Sequence, residues 1–265
     1  MFCLAHLRLS SVVRPKLAAS ITSVCLGLLA VCSASAQDMD WSDRAFLNLN
    51  TTLQVTSTPL GDTLAPVVYA ERAVLTTTHT GKTGRLAIEP SGGLRLWRNV
   101  GAGAALERRA LVETATVRAL VPHPTLFNQP RVAVKDAPFE RTDLAVHTFA
   151  LLMVPLHPRM DVAMFAGPSF ITVRQDILGG IQVAETAAPF TTVNISDVGI
   201  ITRPVRSVGV NAGADVTWFL KPTAGIGATV RYVRGYAGMP LTDGTPTDLD
   251  LGGLRIGVGA RLRFR

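Results

Sequence analysis

Past its first 36 residues the chain contains no cysteine. Cys3, Cys25 and Cys32 all fall in an N-terminal stretch that carries Arg8, Arg14 and Lys16, then the apolar run 17–31, then Ala34-Ser35-Ala36. Positive, then apolar, then small-x-small is the pattern of a secretory signal peptide, here 1–36. Residues 37–265 can therefore hold neither a disulfide framework nor a cysteine metal site. They also lack any apolar run near the ~20 residues of a membrane helix, so a membrane could be crossed only with strands. Net charge is scarce too. Without the first 36 residues, 23 Lys and Arg face 19 Asp and Glu, a balance of +4 that argues for no nucleic-acid partner. No His-Glu-x-x-His, paired-Asp calcium loop or dinucleotide fingerprint occurs, and no metal or cofactor is expected. Gly81-Lys82-Thr83 resembles the end of a phosphate-binding loop, but Thr76 stands where the first glycine is needed and no helix pattern follows, so it reads as a turn.

What the chain does contain is alternation. Its end is the clearest case. Leu254, Ile256, Val258, Ala260, Leu262 and Phe264 alternate with Arg255, Gly257, Gly259, Arg261 and Arg263. A strand sends successive side chains to opposite faces, so one face is greasy and the other tiny or cationic. Seven other segments repeat this split: about 44–57, 83–98, 100–120, 142–156, 160–175, 207–219 and 223–236. The fourth is also apolar on its second face, with Phe149, Leu151 and Met153, which leaves its register open.

The connections predict the architecture. Arg98-Asn99, His157-Pro158-Arg159 and Lys221-Pro222 are tight turns; about 58–82, 121–141, 176–206 and 237–250 are long. Short and long links alternate strictly, as in outer-membrane barrels and unlike Greek-key sandwiches. The expected fold is all-β, an eight-stranded antiparallel up-and-down transmembrane β-barrel over 37–265. Trp218, Phe219 and Phe264 are expected at the lower membrane edge, and Phe170, Tyr232 and Tyr236 at the upper one. Strict parity points Trp97 inward unless the turn flips it. Residues 69–78 have strand composition and either extend the second strand or form a separate hairpin.

With the eight-strand pattern, Arg95-Leu96-Trp97-Arg98-Asn99-Val100-Gly101 at the first turn and the end 256–264, the chain resembles the small outer-membrane β-barrel proteins of Gram-negative-type bacteria, the OmpA-like and OmpW-like superfamily. The resemblance covers all of 37–265. It implies a place in the outer membrane, outer-membrane lipid as surroundings and the barrel-assembly machinery as a partner reading Phe264. Members usually end on that aromatic residue, whereas here Arg265 follows it. The resemblance implies a fold and no firm activity.

Arg85, Glu89, Arg95, Glu107, Arg109, Asp215, Arg231, Arg255, Arg261 and Arg263 take the inward positions. An eight-stranded barrel is barely wide enough for its own side chains. These groups therefore read first as a paired network that fills the lumen, and second as the lining of a narrow pore for small anionic or apolar solutes. His147 and Ser169 are possible inward neighbours, but no third group is identifiable, so an enzyme is not expected. The Pro-rich stretch 121–131 exposes Leu126 and Phe127 as a rim cap or as a surface for an unknown extracellular ligand. The expected role is envelope-structural or surface-interacting.

Overall fold

The computed structural model describes residues 41–55, 61–79, 85–240, 242 and 246–265, so the stretch read as a signal peptide and the turn expected at 81–84 lie outside the described residues. Eight staves form the wall: β1 (Ala45–Gln54), β2 (Arg85–Trp97), β3 (Val100–Val121), β4 (Arg131–His157), β5 (Met160–Glu185), β6 (Val193–Lys221), β7 (Ala224–Arg234) and β8 (Gly253–Phe264). Each pairs antiparallel with its chain neighbour, and β8 pairs back onto β1 from Ala45↔Phe264 to Gln54↔Arg255, closing the ring. Closure removes the open edges that lipid would leave without hydrogen bonds.

The register fixes the barrel's size. Following paired residues round the ring from Val216 gives Ala228, Val258, Thr51, Ile88, Arg108, Leu144, Thr172 and finally Arg206, also on β6. The row returns ten residues from where it began, which for eight strands corresponds to a tilt of roughly 40°.

Three staves are far longer than the sequence pattern suggests. β4 begins at Arg131, β5 runs to Glu185 and β6 begins at Val193, so most of the expected loops 121–141 and 176–206 are strand. Val74–His79 pairs with β3 above the level where β2 does, and Gly61–Leu64 pairs with Val74–His79. The second strand is thus extended upward. A further hairpin, Tyr236–Pro240 with Pro246–Asp250, replaces most of the loop expected at 237–250.

The two faces exchange character partway up these staves. On β3 the outer positions are Leu106, Arg108, Ala110 and Val112, then Thr114, Thr116 and Arg118; the inner ones are Glu107 and Arg109, then Ala115, Val117 and Ala119. On β6, Val216, Val210 and Val208 face out, and above them Arg206 and Thr202 do. Val132 and Val134 are exceptions near the top of β4. The lower part of the wall is apolar outside and charged inside, the reverse of a water-soluble sheet. A continuous belt of exposed Leu, Ile, Val and Phe is far larger than a soluble surface carries. From Val100 to Val112 the belt rises about 30 Å at ~3.3 Å per residue and ~40° of tilt, the thickness of a bilayer's hydrocarbon core. Above it the same staves wrap an ordinary apolar core of Leu75, Val117, Val121, Phe139, Leu178 and Ile195.

Trp218, Phe264, Phe170, Tyr232 and Tyr236 are exposed. Phe219 is not among them. It lies inside, with the Arg263 guanidinium 5.5 Å from its ring centre. Trp97 is 70% exposed, because the pairing slips between Arg95 and Trp97 and Arg98 takes φ of 46°.

Candidate functional site

Among the described residues, buried charged side chains concentrate in the lumen. Its inward charges divide into three groups. Glu107 on β3 anchors the first. It accepts from Arg109, two residues along the same face, and from Arg255 on β8 across the lumen. Arg109 also donates to the side chain of Gln54. Glu89 and Arg231 form the second, 3.2 Å apart but not aligned as a hydrogen bond. The Arg231 guanidinium lies instead 4.9 Å from the Phe165 ring centre and 5.7 Å from that of Phe149, a cation–π arrangement in a desolvated site. In the third group Arg261 grips Asp215 with both arms of its fork, at 3.0 and 2.6 Å, and donates to Asn50 at 2.6 Å. Arg263 beside it donates to Asn48 at 3.1 Å and Thr217 at 3.2 Å.

Nine inward positions expected from the pattern, Glu89, Arg95, Glu107, Arg109, Asp215, Arg231, Arg255, Arg261 and Arg263, do face inward. Arg95 stands apart from the network and donates to the backbone oxygen of Trp41. Arg85 is the first residue of β2, opposite Gln54, and its side chain lies outside those described.

Apolar groups close the space below and above. Phe149, Leu151, Met153, Ala163 and Phe165 on β4 and β5 join Phe46 and Trp41 in one cluster, which accounts for the second apolar face of the fourth segment. Trp41 precedes the first strand. Its backbone N–H donates to Asn99 at 2.7 Å, and its ring lies 6.3 Å from that of Phe46 in the lower mouth. Above the charges, Met239 and Leu249 of the 236–250 hairpin pack with Ile171, Val173, Ile177 and Val233. Two cavities within the lumen, lined by described residues, are about 10 and 20 Å³, each room for about one water.

His147 and Ser169 do meet, on paired positions of β4 and β5, with Nδ1 to Oγ at 2.7 Å. Glu107 supplies the third group that the sequence does not reveal, 3.4 Å from His147 Nε2. The arrangement has a hydrolase's composition but not its chemistry. Arg255, which can only donate, lies nearer to Nε2, at 3.1 Å. Nε2 therefore accepts, and Nδ1–H donates to Ser169 Oγ, which also receives the Asn211 amide at 2.9 Å. A general base must take the serine proton; this imidazole gives one. His147 and Ser169 are both 0% exposed, so no substrate reaches them. Ser169→Ala is expected to cost about 1–3 kcal/mol by orphaning buried donors, measured by urea unfolding, and a fluorophosphonate probe should leave the wild type unlabelled.

At the top, Arg131 clamps Glu185, with Nη2 to Oε1 at 2.7 Å, and also donates to the carbonyls of Pro122 and Phe190. Tyr69 adds its hydroxyl to the same carboxylate at 3.2 Å. The clamp ties the 122–130 and 186–192 connections to the first hairpin. His123 Nδ1 accepts from the N–H groups of Thr125 and Leu126, shaping the loop whose tip exposes Phe127 and Leu126. Hydrogen bonding from Arg131 holds Glu185 below the usual carboxylate range. A depressed pKa gives stability that is present above the unfolded value, near 4.3, and lost as pH falls through the folded one. Protease nicking of 186–192 should therefore accelerate in acid in the wild type, and Glu185→Gln should be nicked at a pH-independent rate.

Phe264 sits at the lower rim, half-exposed towards lipid and paired with Ala45, where the ring closes. The fold is decided by that closure together with the inverted faces. The chain is an eight-stranded outer-membrane-type β-barrel.

No family model matches the chain, and no curated protein does. Among solved structures it is similar to Neisserial surface protein A, at 12% identity and TM-score 0.38 over 83% of this chain and 97% of that one. It is also similar to the outer membrane protein OprG from Pseudomonas aeruginosa, at 10% identity and TM-score 0.45 over 84% and 97%. Ail, the attachment invasion locus protein of Yersinia pestis, aligns at 9% identity and TM-score 0.36 over 83% and 100%.

Proposed function

We propose that the chain is a non-enzymatic barrel of a bacterial outer membrane, with a sealed lumen and a working part that stands above the bilayer. The observation that carries this is the stacking inside the wall: apolar layer, paired charges, apolar layer, with cavities of about 10 and 20 Å³. Buried ions held in direct pairs rigidify a lumen; a conduit would leave them hydrated. The barrel then anchors a raised head with an exposed Phe127 tip, suited to envelope structure or to contact with an extracellular partner. Outer-membrane lipid covers the belt, and the strand ending in Phe264 is the one the barrel-assembly machinery would read. The pore for small anionic or apolar solutes remains the second reading, favoured only by the arginines of β7 and β8.

Placement is testable because residues 37–265 have no cysteine. Phe127→Cys should react with an impermeant maleimide on intact cells, and Arg159→Cys, in the β4–β5 turn, only after the outer membrane is breached. Equal labelling of both on intact cells would overturn the proposal. Arg231→Ser with Arg255→Ser should lower thermal stability and leave membrane conductance at baseline; a changed ion preference would favour the pore.

A further inference from the structure

The outward face of the upper belt carries arginines that the lumen network does not use. Arg174 on β5 and Arg206 on β6 are both exposed, and neither makes an ion pair or hydrogen bond among the described residues. Arg206 pairs with Thr172, and Arg174 stands two residues further along β5, so the two are diagonal neighbours about 7–8 Å apart. Two like charges at that spacing repel unless something anionic lies over them. The chain supplies little. Glu140, diagonal to Arg174 on β4, makes no ion pair with it, and the Asp176 carboxylate is buried, taken up by the Glu140 N–H and the Thr202 hydroxyl.

The position is specific. Phe170 and Val208, one step below on the same face, are exposed apolar residues of the belt. Arg174 and Arg206 therefore stand at the upper edge of the apolar belt. Arg108 on β3 faces out as well, between the exposed Ile88 and Leu144, but it stands four residues below Val112 and so within the apolar belt. Arg108, Leu144, Thr172 and Arg206 form one pairing row, which climbs round the wall with the tilt of the strands. A lipid-facing arginine is unfavourable at the bilayer midplane and tolerated near the interface, where its head can reach the headgroup layer.

We propose that Arg174 and Arg206 form a binding site on the outer wall for the phosphate groups of an anionic lipid headgroup in the outer leaflet. The inference rests on the reading of the chain as an outer-membrane barrel. Planar guanidinium forks suit phosphate oxygens, Thr172 between them offers a hydroxyl, and Phe170 and Val208 meet the acyl chains of the same lipid. A free phosphate would find the guanidiniums but not the apolar shelf.

The test uses the protein refolded into phosphatidylcholine vesicles doped with lipid A carrying its phosphates, or with the same lipid dephosphorylated. Binding is read by co-isolation of the lipid with the barrel, and folding by heat-modifiable migration. The wild type should retain the phosphorylated lipid selectively. Each Arg→Ser change, at 174 or at 206, should weaken retention roughly fivefold. Millimolar inorganic phosphate at matched ionic strength should not displace the lipid; displacement would show a free-phosphate site and overturn the lipid assignment. A folded barrel that retains both lipids equally, or a double variant that binds like the wild type, would overturn the site alone. Failure to give a heat-modifiable band in plain phosphatidylcholine would overturn the barrel reading, and the site with it.

Discussion

Replacing Glu107 by alanine is expected to destabilise the folded barrel by about 3–5 kcal/mol, because it leaves buried cations unpaired. Glu107 gathers Arg109, Arg255 and His147 in one place, and all four side chains are nearly inaccessible. The two guanidiniums would face each other in a space with room for about one water. Equilibrium urea unfolding in vesicles measures the loss. Glu140→Ala, an exposed carboxylate on the outer face, should change stability by no more than about 0.5 kcal/mol and serves as the control. A loss below about 1 kcal/mol at Glu107 would resemble a solvated surface pair, and the lumen would then be wet rather than packed.

Gly259→Val should yield no heat-modifiable folded band. A Cβ at this position would collide with the Leu49 carbonyl oxygen and stand 2.7 Å from the Asn50 Cα. Both atoms are backbone of β1, the strand against which β8 closes the ring, so neither can swing aside. The obstruction falls on the seam that makes the structure a barrel. Gly238→Val is the matched control, because nothing lies within 4 Å of a Cβ there. A folded Gly259→Val protein would show that β8 and β1 are further apart than the register places them.

The barrel itself was legible in the sequence because period-two alternation survives in every stave, and the parity of Arg255, Arg261 and Arg263 already points them inward. The head was not, for a physical reason. Above the bilayer the outer face becomes polar and the inner one apolar, so Thr114-Ala115-Thr116-Val117 still alternates but no longer resembles a membrane strand. Pro138, Pro204 and the pair Gly179-Gly180 break the composition further, and the register slip at Gly199 and Ile200 shows where β5 and β6 absorb an extra residue. The lower plug was hidden because Trp41 belongs to no strand. Glu107 could not be assigned to His147 from spacing, since the two lie 40 residues apart and meet only because Ala105 pairs with His147.

The same inversion explains why one chain needs two kinds of interior. Within the bilayer the outer surface is held by lipid, so the inside is free to carry charge, provided the charges satisfy one another. Above it, water solvates the outside, and the inside must be apolar to hold the sheet together. The paired arginines and the apolar head core are thus two solutions to one folding problem, stacked along the same staves.

The central claim is that these layers seal the barrel. Planar-bilayer recording of the refolded wild type tests it most directly. The account predicts insertion, verified by heat-modifiable migration of the same preparation, with no unitary current steps across a wide range of voltage and salt. Regular, reproducible steps from the verified barrel would contradict it.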